Sequence, residues 1–123
     1  MTQPLALVLY EKLLPGTQLV NRLQDLNYRV QVVSDPATLV ETAQQAGPML
    51  VLADLESTGN VCAAIALLKK TSATSHLPVI AFSSDGATAL QNEAKDAGAT
   101  LIVSEGAILT HLPQFLEQAL LVE

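Results

Sequence analysis

Asp54 closes the run LVLAD (50–54), a carboxylate set straight after four apolar residues, and Glu56 follows two places on. Ser83 and Ser84 close a second apolar run, PVIAFSS (78–84), with Asp85 next. Tyr10 and Glu11 follow LALVL (5–9), and Glu105 and Gly106 follow TLIVS (100–104). Gathered at one place, these side chains are acidic and hydroxylic, with no His, Cys or Lys among them. Carboxylate oxygens suit hard cations such as Mg²⁺ and Ca²⁺. Glu11, Asp54 and Glu56, with Glu105, are the residues that could supply such oxygens. Ser83 has no histidine near it in sequence to act as a base, which argues against a hydrolase triad. Neither G-x-G-x-x-G nor G-x-x-x-x-G-K occurs, so no phosphate cradle is recognisable. No His/Cys group has zinc spacing.

These residues stand at the ends of short apolar runs. Five such runs read as strands: LALVL (5–9), YRVQVV (28–33), MLVLA (49–53), PVIAF (78–82) and TLIVS (100–104). All but YRVQVV are nearly continuous rather than alternating, the mark of strands covered on both faces in a parallel sheet. Helical spacing fills the intervals. Leu19, Val20, Leu23 and Leu26 mark one helix after Pro15-Gly16. Leu39, Val40, Ala43 and Ala46 mark a second, with Asp35 as N-cap and Pro36 at its first position. Val61, Ile65 and Leu68 mark a third, capped by Asn60, and Leu90, Ala94 and Ala97 a fourth, ended by Gly98. A last helix carries Leu109, Leu112, Leu116, Ala119 and Leu120, with Ile108 and Phe115 widening its apolar stripe. Alternation of this kind, with right-handed crossovers, predicts an α/β doubly wound sheet with helices on both faces. Chemistry in such a sheet gathers beyond the C-terminal ends of the strands.

The composition narrows the function further. The chain has 123 residues, which predicts one domain. Half of it is hydrophobic and 15% charged, so it folds around a sizeable core. A net charge of −6 repels phosphate backbones and anionic membranes, and aromatic residues for base stacking are scarce. No nucleic-acid or membrane partner is expected. Cys62, the single cysteine, reads as a small packing residue in the third helix. His76 and His111 read as solvated. The N-terminus lacks a basic n-region and a cleavage site, and no apolar run reaches membrane-spanning length, so a cytoplasmic location is expected.

NRLQDLNYRVQVVSDPATLVETAQQAGPMLVLADLEST (21–58), LPVIAFSS (77–84) and DAGAT (96–100) together resemble the receiver domain of bacterial response regulators. The similarity to these CheY-like domains covers almost the whole chain. Asn27 stands where family members often have Gly before Tyr28. The resemblance implies a flavodoxin-like (βα)5 fold with five parallel strands in the order 2-1-3-4-5. It implies a single receiver-like domain over 1–123 with no output domain. It also implies that Asp54 accepts a phosphoryl group from a sensor histidine kinase, or that another signalling protein is the partner. Ser83 matches the hydroxyl residue that bonds the phosphoryl oxygens, with Ser84 beside it.

Other positions depart from the pattern. Receivers usually carry two acidic residues after strand one to hold Mg²⁺. Here Tyr10 replaces the first and Glu11 stands at the second. Glu105 and Gly106 fill the places of a lysine and a cis-proline after strand five, and Ile102 that of a switch aromatic. A lysine there stabilises charge that develops during transfer, so a glutamate reverses the sign of the help. Phosphorylation of Asp54 is therefore expected to be impaired; Glu11, Asp54 and Glu56 are candidate ligands for Mg²⁺, the alternative being an acidic strand-end rim that holds no ion. Receivers commonly dimerise through helix four, strand five and helix five, where Ile108, Leu112 and Phe115 would stand. Two other functions fit the residues. Asp54-Leu55-Glu56-Ser57-Thr58 is similar to the D-x-D-x-T motif of haloacid-dehalogenase-like phosphatases, and an unphosphorylated domain could act as a constitutive scaffold.

Overall fold

Every residue from Leu50 to Asp54 is buried, and the architecture follows from covering that strand on both sides. The structure, a computed structural model, describes residues 5–10, 13–33, 35–56, 60–84 and 86–121. Its strands are β1 (Leu5–Leu9), β2 (Arg29–Val33), β3 (Leu50–Asp54), β4 (Val79–Ser83) and β5 (Leu101–Ser104). They form one parallel sheet in the order β2-β1-β3-β4-β5. The expected order is the observed one. β4 is also buried throughout, whereas β2 lies at an edge and is largely exposed, which explains why YRVQVV alone among the runs is interrupted by polar residues.

Alternate residues of each strand point to opposite faces, and two cores result. Leu7, Leu9, Val51, Ala53, Val79 and Ala81 pack against α2 (Leu39–Ala46), α3 (Val61–Lys70) and α4 (Thr88–Ala97). Ala6, Val8, Leu50, Leu52, Ile80 and Phe82 pack against α1 (Leu13–Asp25), α5 (Glu105–Thr110) and α6 (Leu112–Leu121). A fully buried Leu or Val side chain stabilises by about 1.5–3 kcal/mol. Both faces of β3 contribute in this way, so the strand has no face left for a polar side chain before its end.

Local chemistry sets the helix ends. Asp35 Oδ1 accepts from Ala37 N–H at 2.9 Å and starts a short 3-10 turn, Pro36–Thr38, that leads into α2. Asn60 Oδ1 accepts from Ala63 N–H at 2.9 Å and caps α3. Gly98 ends α4 with φ of 106°. Asn27 takes φ of 70° after α1, a left-handed conformation that asparagine tolerates better than most non-glycine residues. That accounts for asparagine at a place where receivers often have glycine. α1 begins at Leu13, so Pro15 and Gly16 lie inside its first turn, where a missing N–H costs no helical bond.

The last helix differs from its expected form. It is two helices, α5 and α6, divided at His111. Pro113 is the cause. It has no N–H for the Leu109 carbonyl, and its ring crowds the preceding turn. His111 N–H closes α5 on Ala107 O at 2.8 Å, and Phe115 N–H resumes on His111 O at 3.1 Å. α5 also starts earlier than expected, because Ser104 Oγ caps it by accepting from Ala107 N–H at 3.1 Å. Glu105 and Gly106 therefore open a helix rather than a loop.

Two glycines then respond oppositely to alanine. At Gly98 a Cβ would lie 3.1 Å from Lys69 Cγ, on left-handed backbone. Lys69 is itself held there, its Nζ donating to Leu77 O at 2.7 Å. At Gly106 a Cβ meets nothing within 4 Å, and the backbone is helical. Gly98→Ala should destabilise by about 1–2 kcal/mol, and Gly106→Ala should stabilise by up to about 1 kcal/mol. Urea-unfolding midpoints of the two variants check the signs.

Candidate functional site

The ends of β3 and β4 lie side by side because the parallel register pairs Asp54 with Phe82. Leu55 N–H donates to Phe82 O at 2.9 Å and carries that ladder one residue past Asp54. Asp54 is fully buried, and its Oδ1 accepts from Glu56 N–H at 2.9 Å. This side-chain turn is a local habit of aspartate. It reverses the chain and turns Glu56 towards β4, where Glu56 Oε1 accepts from Ser84 N–H.

Ser83 is buried as fully as Asp54, and its Cα partner on β5 is Ser104. The Ser83 hydroxyl donates to Ser84 O at 3.2 Å. From α4, Gln91 Nε2 donates to Ser83 Oγ at 3.3 Å and to Ser84 O at 3.4 Å. Sequence patterning missed Gln91. It lies on α4 beside the apolar residue Leu90, and nothing local marks it as facing a strand end.

Tyr10 stands just past β1, its N–H donating to Val33 O at 3.1 Å. Its ring packs against the core on the α1, α5 and α6 face. Tyr10 thus serves as a packing group at the end of β1. Ile102 is half-buried against the opposite core, beside Ala81 on β4. Glu11, Ser57, Thr58 and Asp85 lie outside the described residues, and for Glu105 the description stops at its backbone. The site therefore joins Asp54, Glu56, Ser83 and Ser84, with Gln91 added.

The fit to a divalent cation is partial. Asp54 and Glu56 supply two of the three carboxylates expected of a Mg²⁺ site, and each already accepts a backbone N–H. Among the described residues no group of three or more His, Cys, Asp or Glu side chains is placed to hold a metal. The proposed dimer contacts need correction. Ile108 and Leu112 are fully buried in this chain's own core, since α5 and α6 must cover Ile80 and Phe82. Only Phe115 of the three retains exposure, in edge contact with the His111 ring at 6.2 Å. His76 and His111 are exposed. Among the described residues no helix is long and apolar enough to cross a membrane.

No family model matches the chain, and no curated protein matches it. Solved structures do. The receiver domain of the sensor histidine kinase PA1611 from Pseudomonas aeruginosa, with a magnesium ion coordinated in its active-site cleft, superposes with a TM-score of 0.87 at 18% identity, over 97% of this chain and 98% of that one. The receiver domain of NtrX from Brucella abortus gives 0.83 at 21% identity, over 96% and 99%. The chemotaxis response regulator CheY4 of Vibrio cholerae gives 0.77 at 19% identity, over 92% and 98%. Against a longer NtrX chain the match spans 27% of that chain. The fold is that of receiver domains, a flavodoxin-like parallel sheet in the order 2-1-3-4-5.

Cys62 gives a test of the packing around the site. It is buried on α3, and its Sγ lies 3.7 Å from Leu90 O on α4. Burial, and then the negative charge of Glu93, push its thiol up from the ordinary value. The raised pKa leaves less thiolate at any pH below it, so alkylation of the native protein at pH 8 should be slow. It should approach the free-thiol rate in denaturant, and a native rate equal to the denatured rate would contradict the packing.

Proposed function

We propose that this chain is a receiver-like signalling module that acts through protein–protein contact, with Asp54 as an impaired phosphoryl acceptor. One observation carries the reading. Asp54 and Ser83, both fully buried, end adjacent central strands in a sheet with receiver topology. A carboxylate at the end of one strand and a hydroxyl at the end of the next are the residue types that would suit a nucleophile and a group able to bond a transferred group's oxygens.

The impairment is electrostatic. A phosphoryl group arriving on Asp54 brings more negative charge to a pocket that already holds Glu56. Directly after β5, where the resemblance places a lysine, this chain has Glu105. Like charges a few ångströms apart cost on the order of kilocalories at an effective dielectric of ~20. Mg²⁺ is the cation such a pocket would take, through Asp54 and Glu56 with Glu11. A divalent ion there would offset charge on the transferring group. Tyr10 removes one ligand, so the ion would be held weakly. A sensor histidine kinase or another signalling protein is the partner class, in keeping with the sensor kinase receiver that this fold matches.

The phosphatase reading draws no support from Glu56. A phosphatase would use that carboxylate to move protons at the leaving group, and here it is engaged with the backbone of β4.

Incubation with acetyl phosphate and Mg²⁺, followed by intact mass, tests the proposal. Slow, substoichiometric addition of one phosphoryl group is expected, absent in Asp54→Asn. Rapid, stoichiometric labelling would overturn the impairment.

A further inference from the structure

Glu56 has a contact that acceptor chemistry at Asp54 does not require. Its Oε1 accepts from the Ser84 N–H, between residues 28 positions apart in the chain. We infer that Glu56 is an internal anion that occupies the Ser84 amide and holds the end of β4 in its resting arrangement, so that a phosphoryl group on Asp54 must displace it. The inference rests on reading Asp54 as the acceptor.

The geometry supports competition. Adjacent strands run about 4.8 Å apart, so a group built on Asp54 lies within reach of the end of β4. A tetrahedral anion there needs N–H and O–H donors. Just past the two strands the backbone offers Glu56 N–H and Ser84 N–H. The first is committed to Asp54 Oδ1 and the second to Glu56 Oε1. The Ser83 hydroxyl is committed to Ser84 O, and Gln91 holds both Ser83 Oγ and Ser84 O from α4. The strand end is thus gripped from β3 by a carboxylate and from α4 by an amide. A bond from an amide to an ionised carboxylate is roughly twice as strong as its neutral counterpart. A second anion arriving beside Glu56 is also opposed by like charge.

Two variants separate the parts. Glu56→Ala removes the carboxylate, and Glu56→Gln keeps its shape and an acceptor oxygen without the charge. Hydrogen exchange at the Ser84 amide, followed by NMR, should be about tenfold faster in Glu56→Ala than in wild type, with Glu56→Gln between them. Acetyl phosphate labelling of Asp54 should rise about tenfold in Glu56→Ala, at Mg²⁺ high enough that the rate no longer depends on it. Unchanged exchange at Ser84 overturns the clamp. Faster exchange with labelling that stays at the wild-type rate overturns the competition and leaves Glu56 a structural cap. Failure of the acceptor reading looks different. Wild type and both variants would then remain unlabelled, and the competition would fall with it.

Discussion

The 2.9 Å hydrogen bond from Leu55 N–H to Phe82 O holds the β3–β4 register at the place where it matters. Side chains alternate along a strand, so a slip of one residue would turn Asp54 from the edge of one core to the other. Both strands are apolar on both faces and each face has its own helices, so it is the polar strand ends, which cannot enter either core unpaired, that fix the register. With no polar position available inside β3 or β4, carboxylate and hydroxyl can appear only where the strands stop. The site is thus a consequence of how completely the central strands are buried.

At that edge the negative groups are met by peptide N–H donors. Asp54 turns onto Glu56 N–H, Glu56 onto Ser84 N–H, and the Ser83 hydroxyl is held by Gln91. Peptide dipoles are fixed in place, and these two are taken up by Asp54 Oδ1 and Glu56 Oε1. They have no spare full charge to lend an incoming anion, as a lysine would. Tyr10 extends the same logic. Its ring joins the core on the α1, α5 and α6 face, so the position after β1 contributes packing where receivers usually have an oxygen ligand. On the proposed reading, Tyr10 and Glu105, at the ends of β1 and β5, both leave the pocket less able to neutralise a phosphoryl group.

The sheet was legible in the sequence because its signal is local and repeated. Continuous apolar runs mark doubly covered strands, and Asp35, Asn60 and Gly98 mark helix ends by their own side chains or lack of one. The division of the last helix was also written locally, in Pro113, but a continuous apolar stripe across it outweighed one residue. That stripe misled in a second way. Periodicity shows that Ile108, Leu112 and Phe115 share a face, not whether that face meets this chain or another one. Burial against Ile80 and Phe82 assigns Ile108 and Leu112 to the former. Gln91 and the Glu56–Ser84 bond were hidden for a different reason. They join residues 8 and 28 positions apart through side-chain geometry at a strand end, and no periodic pattern encodes that.

A two-state signalling domain can be shifted only by a ligand that binds one state better than the other. An ordinary phosphoryl acceptor meets that condition by adding charge and acceptor oxygens to a pocket that lacks them. Here the pocket starts with an anion on the Ser84 amide and a hydroxyl already bonded, so on the proposed reading the difference a phosphoryl group would make is smaller. The β4 end and α4 are joined through Gln91, and α4 is packed on α3 across Cys62 and Leu90. On the same proposed reading, a partner docked on this face would stabilise the same contacts that Glu56 stabilises. The occupied pocket and a docked protein would together supply, on that proposed reading, the bias that a receiver would take from phosphorylation, while Asp54 Oδ1 turns the chain that carries Glu56.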